Sequence, residues 1–205
     1  MANVNAPFGL RPIRYASGAP YNGAVNYYFA TGATGAIYVG DPVVMAGAAN
    51  TTNVQGFPPG VLGTVTVALD GDGDPILGVC VGVMSVTRDS VPYRVNSTDR
   101  IILVADDPNL IFIGQTDAAS TAWAGTDVGS YANMKAGTGS TVTGLSGWTL
   151  DTTDGPDAAD PSNQLLIMRL YSNPDNEIGT YGVWEVMINN HQLANVSDGG
   201  RFTGV

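Results

Sequence analysis

The chain has 205 residues, a formal net charge of −10 and a pI of about 4.1, with eight basic residues against eighteen acidic ones. Nucleic-acid binding needs a basic footprint that releases counterions, and this charge balance excludes one. Charged residues make up 13% of the chain, about half the ~25% usual in soluble domains, which suggests that a partner covers part of the surface.

One lysine (Lys135) and two glutamates (Glu177, Glu185) stand against sixteen aspartates and 27 glycines. Lys and Glu favour helices, whereas Asp, Asn and Gly punctuate turns, so the composition reads as mostly β. Cys80, inside the apolar run "ILGVCVGV", is the single cysteine. It rules out an intrachain disulfide and a thiolate zinc cage, and it reads as a buried, inert thiol. The opening "MANVNAPFG" lacks the pattern of a secretory signal, and no run approaches 18 apolar residues, so neither a signal nor a membrane contact is expected.

In the first stretch Phe8, Leu10 and Ile13 interleave with Arg11 and Arg14, while Pro7 and Pro12 forbid a long regular helix. Residues 1–20 are expected to form an extended N-terminal arm, and residues 21–205 a β-rich body. In the body, "AVNYYFA" (24–30) reads as a strand, and "AIYVGDPVVMA" as two short strands around a Gly-Asp-Pro corner. "VLGTVTVAL" (61–69) and "ILGVCVGVMSV" (76–86) flank the tight loop "DGDGDP" and look like a hairpin. Further strands are expected at residues 100–105 and in "NLIFIGQ". The stretch 116–136 is the only place for a helical turn, kept short by Gly125 and Gly129. "STVTGLSGWTL" returns to β alternation, and "DTTDGPDAADPSN" is an acidic loop. The closing "QLLIMRLYS" and "GVWEVMINNHQL" read as two long strands, with Trp184, Val186 and Ile188 on one face and Glu185, Met187 and Asn189 on the other. Eight to ten short strands with a turn signal every 8–12 residues fit an all-β single domain, a barrel or sandwich with long loops.

Chemistry is sparse. His191 is the only histidine, and a single His at a strand end reads as structural rather than catalytic. Asp70, Asp72 and Asp74 alternate as in the first half of a calcium loop, but Pro75 stands where that loop needs glycine and Val81 where it needs a bidentate glutamate. Asp106 and Asp107 are adjacent on an extended chain, so they point apart and do not flank one bond. No catalytic residue, metal site or cofactor is expected, and the protein does not read as an enzyme.

Taken as a set, several segments resemble the head decoration, or capsid cement, proteins of tailed bacteriophages. They are the opening "NAPFGLRPIR" with "GAPYNGAVNYY" and "IYVGDPVV", the middle "VADDPNLIFIGQ", "GTDVG" and "GSTVTGLSGWTLD", and the closing "PDNEIGTYGVWEVMINNHQL". The likeness runs nearly end to end. It implies a structural virion protein on the outer surface of the capsid, homo-oligomeric at local symmetry axes, stapling subunits of the major capsid protein against internal DNA pressure. One departure is Gly114, where a charged or larger strand residue is expected. The main shell subunit of such phages resembles a mixed α/β protein with a long spine helix, which no segment here is able to form. The second functional reading is a tail or fibre accessory protein that binds a host glycan.

On the cement reading, Phe8, Leu10 and Ile13 are expected to anchor in grooves of a neighbouring subunit while Arg11 and Arg14 pair with its carboxylates. Fifteen extended residues reach roughly 50 Å at ~3.3 Å each, enough to cross a neighbour. The alternative is a first strand tucked into the chain's own barrel. A trimer is the favoured oligomer, with Tyr181, Trp184 and Met187 as expected interface residues, and the monomer core as the competing place for Trp184.

Overall fold

β-branched and aromatic residues in short runs, cut by Gly, Pro and Asp, leave the chain little but strands to form, and the protein is all-β. The computed structural model describes residues 3–32, 35–71, 74–153 and 155–194. The first strand, β1 (Arg11–Tyr15), is followed by β2 (Asn26–Ala30), β3 (Pro42–Ala49), β4 (Gly63–Val67), β5 (Gly78–Val83) and β6 (Arg100–Ala105). Strands β2 to β6 close into a barrel in the order β2-β4-β3-β5-β6, with β2 and β4 parallel and the other pairs antiparallel. After β7 (Leu110–Gln115) comes a 3-10 turn at Gly125–Asp127, then β8 (Tyr131–Ala132), β9 (Met134–Lys135), β10 (Thr149–Leu150), β11 (Leu165–Leu170) and β12 (Val183–Ile188). The second layer is an antiparallel sheet in the order β1-β7-β12-β11-β8.

Two apolar regions hold these layers. Val43, Val65, Leu77, Cys80, Ile102 and Val104 fill the barrel. A larger core joins Val79 and Ala105 of the barrel strands to Phe112, Ile167, Trp184 and Val186 of the sheet, with Trp123 and Trp148 from the connecting segments and Leu150 from β10. Trp184, Val186 and Ile188 share this core, as their alternation predicts. Trp123 meets Trp184 edge-on, with ring centroids 5.9 Å apart.

One end of the barrel is tied by Arg94, which is 1% exposed. Its Nε donates to Thr98 O at 2.8 Å, and its two terminal nitrogens donate to the carbonyls of Gly35 and Thr31. A buried guanidinium is tolerated only when its donors are satisfied in this way.

Two expectations change. The runs 61–69 and 76–86 do not pair as a hairpin. They lie on opposite edges of β3, because Ala68 N–H bonds Pro42 O at 2.9 Å on one side and Leu77 N–H bonds Val43 O at 2.8 Å on the other. The run 140–150 is mostly turn, with only Thr149–Leu150 in a strand. Its backbone must pass too close to neighbours for a regular ladder: a Cβ on Gly147 would stand 2.2 Å from Thr138 O.

Candidate functional site

The N-terminal segment is built into the molecule. Residues 11–15 pair with β7 in antiparallel register, Arg11 opposite Ile113 and Tyr15 opposite Leu110, with an irregularity between Pro12 and Arg14. Just before them, Gly9 N–H bonds Trp148 O at 3.1 Å and Leu10 N–H bonds Gly40 O at 2.9 Å. Leu10, 1% exposed, belongs to the core. Gly114 explains its place: a Cβ there would stand 3.0 Å from both Leu10 Cδ2 and Leu150 Cδ2, so the missing side chain is the slot that Leu10 fills. The part of the expected arm from Gly9 to Tyr15 is thus held by the chain's own sheet, as in the alternative reading.

This splits the five expected anchor residues. Leu10 is committed to the core, and Ile13 is half-buried at the irregularity. Arg14 turns to Glu185 and donates to its Oε2 at 2.6 Å, while Arg169 reaches Oε1 at 3.0 Å. Glu185 lies on the sheet's strand β12 with its side chain 3% exposed, so the two arginines neutralise a buried carboxylate. Phe8 and Arg11 remain together at the surface. The Arg11 guanidinium lies 5.0 Å from the Phe8 ring centroid and makes no ion pair or hydrogen bond among the described residues.

The Phe8–Arg11 pair separates two hollows that share Leu145 as a further wall. The first, about 240 Å³, is apolar and lined by Pro12, Tyr21, Val39 and Val81. The second, about 470 Å³, presents the hydroxyl residues Thr138, Ser140 and Thr143. Sequence reasoning named Phe8 and Arg11 but not their opposite wall, which comes from the loop 138–147, more than a hundred residues away in the chain.

The expected oligomer residues do not form a patch. Trp184 is fully buried between sheet and barrel, and Met187 is 3% exposed. Strand alternation carries Trp184 inward, and Met187 lies in the middle of a sheet flanked by β7 and β11. Tyr181 is half-buried with φ +61°. Trp184 and Met187 are core residues of the chain's own fold.

Several other ionisable groups are engaged in local hydrogen bonds and ion pairs. His191 is 1% exposed, and its Nδ1 accepts the Leu193 N–H at 3.0 Å. Asp106 accepts from Asn26 at 3.0 Å and from the Tyr28 hydroxyl at 2.6 Å. Burial and that hydrogen bond push the Tyr28 phenol well up. Asp107 instead binds the Asn109 N–H at 2.7 Å within its turn. Lys135 pairs with Asp117 at 2.9 Å and lies 3.8 Å from Asp151. Burial pushes Asp117 up, but hydrogen bonds from Thr152, Lys135 and the backbone N–H groups of Ala119 and Thr152 outweigh it and hold its carboxyl below the usual range. Of the calcium-like loop, Asp72 lies outside the described residues, as does Asp154 of the acidic loop. Among the described residues no three His, Cys, Asp or Glu side chains converge as metal ligands.

Asp41 was not singled out in the sequence, where "VGDPVV" reads only as a corner. It is 2% exposed. Its Oδ2 accepts the Tyr38 N–H at 2.8 Å, and Oδ1 has no hydrogen-bond partner among the described residues. Burial raises its pKa to about 6, against the lowering influence of the Ser146 hydroxyl and the Tyr38 N–H.

The chain matches no protein-family model, and no curated protein or solved structure is significantly similar to it.

Proposed function

We propose that the protein is a structural component of a tailed-phage virion: a decoration or cement protein that sits on the outside of the head and joins neighbouring major-capsid-protein subunits. The observation that carries this reading is the resemblance set out above, which extends over nearly the whole chain. A two-layer β body supports it, holding at its surface an aromatic ring and a cation that has no ion-pair partner among the described residues. On this reading the protein acts without catalysis, cofactor, nucleic acid or membrane, and a trimer is the favoured form. Three contacts on one rigid body raise effective concentration and turn modest affinities into durable attachment.

A second reading, a tail or fibre accessory protein that binds a glycan, is favoured by one feature. Tyr38 and Tyr93 stack at 4.8 Å, and Tyr38 borders a shallow hollow of about 410 Å³ with Asp41 and Thr138. Cryo-electron microscopy of the intact particle separates the two. The cement reading predicts density for the β body on the outer shell at local symmetry axes, and density confined to the tail overturns it.

A further inference from the structure

The Phe8–Arg11 pair is held by a backbone crossing rather than by a flexible tail. A Cβ on Gly9 would stand 2.1 Å from Gly40 O, and one on Gly40 would stand 2.1 Å from Phe8 O. With the Leu10–Gly40 and Gly9–Trp148 hydrogen bonds after Phe8 and the bond from Ala6 N–H to Gln115 Oε1 before it, the chain is fixed on both sides of Phe8. The guanidinium then rests over the Phe8 ring with its five donors uncommitted among the described residues. Elsewhere in the fold Arg14, Arg169 and Lys135 pair with carboxylates and the donors of Arg94 are met by carbonyls. Arg88 and Arg100, like Arg11, have no carboxylate partner among the described residues; of these three only Arg11 lies over an aromatic ring beside the two hollows.

We infer that Phe8, Arg11 and the two hollows beside them form one recognition site for an extended protein segment that carries a carboxylate next to a large apolar side chain. The chemistry of each part selects this occupant. A guanidinium held over a ring, with its donors uncommitted among the described residues, can take a carboxylate in the bidentate manner. The apolar hollow lined by Val39, Val81, Tyr21 and Pro12 takes the neighbouring apolar side chain. The hydroxyl-bearing wall of Thr138, Ser140 and Thr143 meets the segment's backbone groups. The chain's overall charge of −10 does not prevent this, because exposed charges more than about 8 Å away are screened at physiological ionic strength. Pre-organisation lowers the ordering cost of binding. That the segment belongs to a capsid subunit rests on the function proposed above; the site's chemistry does not.

The test uses the full chain labelled with ¹⁵N and the peptide acetyl-Gly-Phe-Asp-Gly-amide, with Asn-for-Asp and Ala-for-Phe versions as comparisons. The expected result is saturable shift changes at the Arg11 Nε–H and at the amides of Val39, Gly40 and Leu145. Each comparison peptide should bind about tenfold more weakly, as should the parent peptide to the R11Q variant. Equal binding of the Asp and Asn peptides, unchanged binding to R11Q, shifts mapping elsewhere, or no binding would each overturn the inference. Peptide binding retained by a protein that does not associate with undecorated heads would uphold the site and tell against the capsid assignment.

Discussion

Gly9 and Gly40 cross so closely that neither position has room for a side chain: a Cβ on Gly9 would stand 2.1 Å from Gly40 O. Both residues also hold positive φ, +70° and +103°. This crossing joins the N-terminal segment to the barrel, and the surface of Phe8 and Arg11 depends on it.

Replacing Gly40 with Ala should cost at least about 2 kcal/mol, since the left-handed backbone strain adds to a clash with fixed backbone. Gly60 has similar φ, +82°, but open space around it. G60A should therefore cost only about 1 kcal/mol. Urea denaturation of both variants checks the order, and equal losses would show that the crossing is not tight.

Leu10→Ala should destabilise the protein by about 3 kcal/mol, as expected for a fully buried leucine in a slot that cannot collapse. Removal of residues 1–14 should unfold the sheet or leave it greatly weakened, because β7 loses one of its two partner strands and the core loses Leu10. Arg11→Gln, at an exposed position, should change stability by no more than about 0.5 kcal/mol. Thermal melts of the three variants decide this, and a truncated protein that melts like the full chain would contradict the role of β1.

Glu185→Ala should cost about 2 kcal/mol, because it strands the partly buried Arg14 beside an apolar sheet. Replacing Arg14 and Glu185 together with Met and Leu should recover most of that loss, as paired apolar groups need no hydration. Denaturant titration of single and double variants measures it; a double variant as weak as the single one would refute the account.

Asp41 gives a pH dependence of defined sign. Its folded pKa, raised by burial to about 6, lies above the unfolded value. The protonated form is favoured by folding, so this contribution is full below pH about 4 and is lost as pH rises through about 6. The amount is about 3 kcal/mol. Asp117, held low, acts in the opposite direction at acid pH, so the comparison must be with a variant. Asp41→Asn should lack the fall in stability between pH 4 and 6.5 that the native protein shows. Parallel pH profiles would exclude Asp41 as its source.

Local pattern carried much of this fold. The 100–105 run is β6 with the expected bounds, and the alternation of Trp184, Val186 and Ile188 gave their common face. Pairing was less legible, because loop composition marks the turn at "DGDGDP" without showing that β3 lies between the strands it connects. The N-terminal segment misled for a physical reason. Its prolines and glycine argue against an independent element, yet Gly9 meets Gly40 and Leu10 fills the gap over Gly114. Those contacts span from about thirty to more than a hundred residues of sequence, and single-residue propensity is blind to them. For the same reason the sequence suggests Phe8 and Arg11 as partner contacts but gives no sign that Leu145 and the hydroxyl residues of the 138–147 loop lie beside them.

The central claim is that this protein reinforces a phage head. It is tested most directly by heating otherwise identical particles with and without it and recording the temperature at which DNA is released. The account predicts release at a clearly lower temperature when the protein is missing, restored by adding the purified chain. Identical release curves would contradict it.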